Sequence, residues 1–487
     1  MQSTIAHAAE RKTFEIAINQ VMRSISGSNR DKAIGRLIDL VEPLIKDTVP
    51  NSVDGVRTAL HPGSKWQQWL FDVIDKSDPN VLRTFLLNAG YESAFRGLRT
   101  TMVNAERYNC NVPWIILFDP TSACNKHCVG CWAADYGNSL NLTYEDMDRL
   151  VTQGSELGCH FYMLTGGEPL VRKRDVLRLA EAHGDCEFNI FTNASLVDEE
   201  FCREVARLGN IVFSVSLESY EPEVNDGRRG DGSFEEVMRA FELMHSYGLL
   251  FGTSTCYTRN NTELVSSDEF FDLLVEKGCR WAWYFHYMPV GDGASADLMP
   301  TYEQREYMLH RLREVRGFEG GKPIFAMDFQ NDGEFVAGCI AGGRAYCHIN
   351  ARGDVEPCVF IHYSGANIKE QSLLDCLRQP LFQAYHDHYP WNENHLRPCP
   401  MLENPEVLPQ MVCESGAHAT DYVAPESAES LCERTTPYAR GWEAEAERLW
   451  SELHPDGGQA VVAGEAARER AARIEAQEQS EHVSMAS

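Results

Sequence analysis

Residues 114–131 read WIILFDPTSACNKHCVGC. The run from Trp114 to Phe118 is short, continuous and apolar, as expected of a strand buried on both faces. A polar loop with three cysteines, Cys124, Cys128 and Cys131, follows it directly. The rhythm recurs outward from there. Apolar runs at 160–164 (HFYML), 187–191 (EFNIF), 211–217 (IVFSVSL), 249–256 (LLFGTSTC) and 281–288 (WAWYFHYM) alternate with helix-like segments near 143–157, 171–183, 197–208, 233–247 and 267–277. The first of these segments opens at Thr143 with Glu145 and Asp146 in its first turn, where acids complement the helix dipole. Six βα repeats predict an α/β fold: a partial (β/α)6 TIM-like barrel of parallel strands joined by right-handed crossovers. Ligands of such a sheet gather at the carboxyl ends of its strands, where the cysteine loop begins.

The rest of the chain divides around this core. Residues 1–112 are expected to be a helical N-terminal region. Ile34, Leu37, Ile38, Val41, Leu44 and Ile45 recur at helical spacing, as do Trp66, Trp69, Leu70 and Val73, then Val81, Leu82, Phe85 and Leu86. This region holds 14 bases and 12 acids, a balance open to contact with lipid or a partner as well as to packing on the barrel. The barrel is expected over 113–334. Residues 335–415, rich in Gly, Cys and Pro, read as a small metal-organised module. Residues 416–454 read as a C-terminal helical segment, and 455–487 as a frayed helix or disordered tail.

Composition narrows the function. Lys and Arg number 44 against 72 Asp and Glu, a net charge of −28, which repels phosphate backbones, so no nucleic-acid partner is expected. No stretch of 18 apolar residues occurs, and the first thirty residues lack the apolar core of a signal peptide. A cytoplasmic protein without a transmembrane segment is expected. In a reducing compartment the 16 cysteines are metal ligands, reactive groups or buried thiols rather than a disulfide framework.

A zinc site built on Cys124, Cys128 and Cys131 wants a fourth ligand, and His127, lying between two of the cysteines, is badly placed to supply it. The CxxxCxxC spacing resembles the signature of the radical S-adenosylmethionine (SAM) superfamily. The resemblance implies a [4Fe–4S] cluster held by three thiolates, with SAM chelating the fourth iron. Reductive cleavage of SAM then gives a 5′-deoxyadenosyl radical that abstracts hydrogen from a substrate. Thr165, Gly166, Gly167, Glu168 and Pro169 close the second run and resemble the family's motif for the SAM amino group. Asn193, Ser216 and Glu218 lie at the ends of the third and fourth runs, and by resemblance contact SAM; Arg229 matches an arginine that pairs with its carboxylate, with Arg228 as the competing choice. The position before the last cysteine, usually aromatic in the family, is Gly130, with Trp132 just after the triad. Tyr284, His286 and Pro289 end the sixth run and are candidates for the substrate opening.

Cys339 and Cys358 are spaced Cx13Gx4C, which resembles the opening of SPASM or twitch modules that carry auxiliary iron–sulfur clusters. The intervening HINARGDVEPC reads as a β-hairpin turning at Arg352-Gly353-Asp354. Cys399 is the third expected ligand, and Cys347, Cys413 or no residue the fourth. Cys110, Cys159, Cys186, Cys202, Cys256, Cys279 and Cys376 are expected to be packing residues. A non-catalytic iron–sulfur redox or structural protein also explains the cysteines, but it leaves the SAM-like motifs without purpose. The family implies a reductant partner such as flavodoxin or ferredoxin. Two substrate classes stay open: a peptide or protein side chain, as for many auxiliary-cluster members, and a lipid or other apolar small molecule, as the aromatic sixth run suggests.

Overall fold

The computed structural model describes residues 4–25, 30, 32, 34–36, 38–39, 52–291, 293–318 and 320–455. Leu37, Val41, Leu44, Ile45 and nearly all of the expected tail lie outside these residues. Six strands follow the six apolar runs: β1 (Ile115–Phe118), β2 (Phe161–Leu164), β3 (Glu187–Thr192), β4 (Ile211–Ser216), β5 (Phe251–Tyr257) and β6 (Trp281–His286). The sheet extends beyond them. β7 (Phe325–Asp328) pairs parallel with β6, and β8 (Tyr346–Ile349) pairs parallel with β1. β9 (Val355–Glu356) turns back antiparallel on β8, as the predicted hairpin requires, with Gly353 at φ +102° in the turn. The order β7-β6-β5-β4-β3-β2-β1-β8-β9 leaves β7 and β9 as unpaired ends, so the barrel is open along a seam.

Alternation along the strands builds two cores. Ile116, Phe118, Tyr162, Leu164, Phe188 and Ile190 face outward against Met147, Leu150, Leu179, Phe201 and Val205 of the surrounding helices. Leu117 and Met163 face inward and share a second core with Tyr287, Met288, Met401, Leu402 and Trp442. The helix Tyr144–Leu157 starts where expected because Thr143 and Asp146 form a reciprocal capping box.

The N-terminal helices close the amino end of the barrel. Trp69 donates its indole N–H to the Arg280 carbonyl, Asn88 donates to the Gly184 and Cys186 carbonyls, and the Asp78 amide donates to Gly248; these acceptors immediately precede β6, β3 and β5. At the other end, Arg305 and Glu403, both fully buried, pair at 2.7 Å. The Arg305 guanidinium lies 4.2 Å from the Trp442 ring centre, and Glu403 accepts the Cys399 amide at 2.7 Å. One ion pair thus joins the helix Tyr302–Arg316, the Cys399 loop and the helix Ala428–Leu453. Among the described residues no helix is long and apolar enough to cross a membrane.

Candidate active site

A cavity of about 240 Å³ lies at the carboxyl ends of the strands. Cys124, Cys128, Cys131, Thr165, Gly166, Gly167, Glu168, Asn193, Ser216 and Arg229 all line it; Pro169 and Glu218 do not. The cysteine loop and the TGGEP turn are stitched together, because the Gly167 amide donates to the Thr121 carbonyl and the Glu168 amide to Ala123, at 3.0 and 2.8 Å. A Cβ on Gly166 would stand 2.6 Å from the Thr121 oxygen, and one on Gly167 2.2 Å from the Ala123 oxygen. Only glycine permits this approach. Glu168 is buried and braces the ends of β2 and β3, accepting from Thr192 Oγ1 at 2.7 Å, Asn193 N at 2.8 Å and Leu170 N at 2.9 Å. Pro169 begins the short 3-10 turn Pro169–Arg172 that follows.

Glu218 stands behind the wall and spends its oxygens on its neighbours. It pairs with Arg229 and, at 3.0 Å, with Arg228, and it accepts the Cys256 amide at 3.0 Å. Both arginines are thereby held at the cavity, and Arg229 Nη1 stands 3.8 Å from Cys128 Sγ. Burial pushes the Cys124 thiol up to about 11 and raises Cys131 as well, so metal loading must displace protons from them. Among the described residues, the group of three metal-binding side chains whose ligand atoms all come within 4.8 Å of one another is His160, Asp185 and Cys186, at the amino ends of β2 and β3. Cys124, Cys128 and Cys131 instead line one cavity from a single loop, with no fourth protein donor among them. A structural zinc ion wants four protein donors, whereas three thiolates can each take one iron of a four-iron cluster and leave the fourth iron open, so this donor set fits a cluster.

Gly130 has φ +67°, and a Cβ there would stand 2.7 Å from the Tyr287 ring. The space opened by the missing side chain is filled by Tyr287, which arrives from the end of β6 and lines the cavity. Trp132 packs edge-on to His348, Tyr136 and Phe360. Behind it lies a buried network in which His348 bridges Asp119 at 3.0 Å and Glu356 at 2.6 Å, while Tyr136 and Thr420 also donate to Glu356. Burial opposes a charged imidazole, but the two carboxylates outweigh it and His348 is pushed up to about 10. A raised histidine stabilises fully below its unfolded value near 6.5, and the contribution fades as pH climbs toward the folded value. The Tm should therefore fall from pH 7 to 9, and His348→Gln should flatten that slope while costing about 3 kcal/mol at pH 7. Thermal melts across this range check both; an unchanged slope in the variant would assign the pH dependence elsewhere.

Cys339, Cys358 and Cys399 come together on a second cavity of about 470 Å³. Cys347 points into the outer core, Cys376 is fully buried in that same core and Cys413 is exposed, and none of the three lines this cavity. Tyr284 also faces outward, donating to the Val265 carbonyl, while His286 lines the first cavity and bonds Tyr438 at 2.8 Å. Sequence reasoning passed over Tyr287, Ser254, Trp283 and Phe285 and took Cys256 for a packing residue; all five line the first cavity. For Trp283 and Phe285 the sequence showed an aromatic sixth run without showing which of its alternate residues face the cavity.

Residues 118–274 match the family model of the radical SAM superfamily, and residues 339–400 match that of the SPASM iron–sulfur cluster-binding domain. An AdoMet-dependent heme synthase from Methanosarcina barkeri is 26% identical over 287 residues, covering 54% of this chain and 81% of the relative. The mycofactocin maturase MftC of Mycolicibacterium smegmatis is 28% identical over 264 residues, covering 51% of this chain and 65% of the relative. Streptococcus suis SuiB bound to precursor peptide SuiA superimposes with a TM-score of 0.50 at 18% identity, over 60% of this chain and 71% of that one, a likeness of fold. Such domains bind a [4Fe–4S] cluster, SAM and auxiliary iron–sulfur clusters. With the cysteine loop, the glycine turn and the second cysteine set gathered at one end of the barrel, residues 118–274 are a radical SAM domain and residues 339–400 a SPASM iron–sulfur cluster-binding domain.

Proposed function

We propose that this enzyme cleaves SAM reductively in the first cavity and takes hydrogen from an unactivated C–H bond of an apolar substrate. One observation carries the substrate class: the first cavity is divided by polarity. The cysteine loop, the TGGEP turn, Asn193, Ser216 and Arg229 make one side, and Ile115, Leu117, Met163, Phe191, Trp283 and Phe285 make the other. Bound to Cys124, Cys128 and Cys131, a [4Fe–4S] cluster supplies the electron for SAM cleavage and an open iron for the SAM amino-acid end. The remaining roles fall to side chains. Arg229, fixed by Glu218, offers its charge to the SAM carboxylate. Gly166 and Gly167 keep the turn against the cysteine loop, and the aromatic side excludes water from the reacting carbon. Cys339, Cys358 and Cys399 hold the auxiliary cluster. A flavodoxin or ferredoxin in a reducing cytoplasm supplies electrons and keeps the thiols free.

The maturase relative favours a second reading, a peptide substrate. Against it, the described N-terminal helices pack on the end of the barrel opposite the cavity. The test of the enzymatic step is anaerobic: reconstituted protein with dithionite and SAM is expected to release 5′-deoxyadenosine. No release from fully iron-loaded protein would favour the non-catalytic iron–sulfur alternative.

Tyr287, in the space above Gly130, takes over the aromatic contact to the SAM adenine in this reading. Tyr287→Ala should then raise the SAM dissociation constant roughly tenfold, and Tyr287→Phe should keep it near the parent value. Calorimetric titration decides; equal affinity in the alanine variant would remove Tyr287 from the SAM site.

A further inference from the structure

We infer that the substrate is a long-chain amphiphile whose hydrocarbon chain runs through both cavities and whose polar end stays at the open seam of the barrel. The inference rests on the apolar-substrate reading above and extends it to length and orientation. The second cavity lies in the seam, between Phe325 and Met327 of β7, Phe329 just after it, and the segment Gly338 to Ala341. The two cavities share Trp283, Met288, Phe329, Ile340 and Phe360, a partition one side chain thick and without charge. At about 470 Å³ the second cavity falls in the size class of drug-sized ligands. A cluster core of four irons and four sulfides is smaller than such a ligand, so room remains beside it.

The lining decides the chemistry of what fills that room. Its polar side chains are already engaged: Arg316 pairs with Asp332 at 2.5 Å, Asp328 accepts from Asn331 at 2.9 Å, and Gln330 accepts the His286 amide at 2.9 Å. None of the buried side-chain atoms lacking a partner among the described residues lines either cavity. A guest there gains from apolar contact and finds no side chain waiting for a hydrogen bond. At the mouth, Phe325, Phe335 and Val336 are 46%, 64% and 49% exposed. Large apolar side chains gathered at one opening mark an entry for apolar matter. The guanidinium groups of Arg313 and Arg316 each lie 5.2 Å from the Phe335 ring centre and pair in turn with Glu334 and Asp332, so the rim is aromatic with its charges already paired and leaves the polar end of a guest to solvent.

The test uses reconstituted full-length protein and the fluorescence of cis-parinaric acid, displaced by fatty acids of two lengths. Each buried methylene tightens binding by about three- to fourfold, so palmitate should displace the probe at least a hundredfold better than octanoate. Val336→Asp and Phe335→Asp lie on the exposed rim, where folding is safe by melting temperature, and should weaken palmitate at least tenfold. Displacement by palmitate but not by 1-palmitoyl-lysophosphatidylcholine assigns the chain to a free acid, and displacement by both assigns it to a lipid; either outcome supports the inference. Absence of probe binding, equal displacement by octanoate and palmitate, or parent-like binding in both rim variants overturns it. Release of 5′-deoxyadenosine without probe binding overturns the inference alone. Chain-length-dependent binding to iron-loaded protein that releases no 5′-deoxyadenosine overturns the enzymatic reading, and with it the claim that the amphiphile is a substrate.

Discussion

Cys128→Ala is expected to lower 5′-deoxyadenosine release at least a thousandfold, to background, with Cys124→Ala and Cys131→Ala following it. Each thiolate holds one iron of the cluster, and the loop offers no spare donor. His127 sits between two of the cysteines, and the nearest cavity cysteine outside the triad, Cys256, lies on β5 with its amide held by Glu218. Arg229, 3.8 Å from the Cys128 sulfur, would then face a gap where a thiolate stood. Iron content should fall by the share of one cluster while the second site stays loaded. Iron analysis separates this outcome from unfolding, which would empty both sites. A triple-alanine variant that releases 5′-deoxyadenosine at the parent rate would overturn the assignment of the cluster to these residues.

The second large effect concerns stability. Glu403→Ala is expected to cost about 3–5 kcal/mol, because it strands the Arg305 guanidinium, fully buried, without its counter-charge. The loss also frees the Cys399 amide, which Glu403 accepts at 2.7 Å, so iron at the second site should drop with the melting temperature. The double variant Arg305→Met with Glu403→Leu removes the stranded charge without opening a cavity and should recover most of the lost stability, since an apolar pair of similar volume replaces a buried ion pair at little cost. The Cys399 amide would stay unpaired, so iron binding should recover less than the Tm. Equal Tm for the single and double variants would mean that the pair contributes little.

The barrel was legible because its strands are buried on both faces and therefore read as unbroken apolar runs, from WIILF at 114–118 to WAWYFHYM at 281–288. β7 (FAMD) escaped the same reading, and β8 (YCHI) was legible as an arm of the hairpin at Arg352-Gly353-Asp354 but not as a strand of the barrel. Each has four residues, with a charged or polar one among them, and each joins the sheet only because a neighbouring strand supplies the edge. The triad and the TGGEP turn announced themselves through rare residue types at tight spacing. Tyr287 did not, since its position depends on a vacancy at Gly130 some 150 residues earlier in the chain, visible only once both lie at one strand end. Tyr284 was misjudged as a candidate for the opening because parity along β6, which sends Trp283 and Phe285 inward and Tyr284 outward, depends on a pairing register that a single strand does not reveal.

The pairing of β8 with β1 has its own consequence. The second cysteine set is grafted onto the barrel by backbone hydrogen bonds, strand beside strand, with no linker between them. Cys131 lies in the loop after β1 and Cys358 just after β9, so the two hang from one sheet with only β8 between their strands. The two cysteine sets are thereby brought near one another by a continuous sheet, without a docking step between separate domains. Entry to the interior then runs past the side chains of the seam, where β7 and β9 end the sheet without partners.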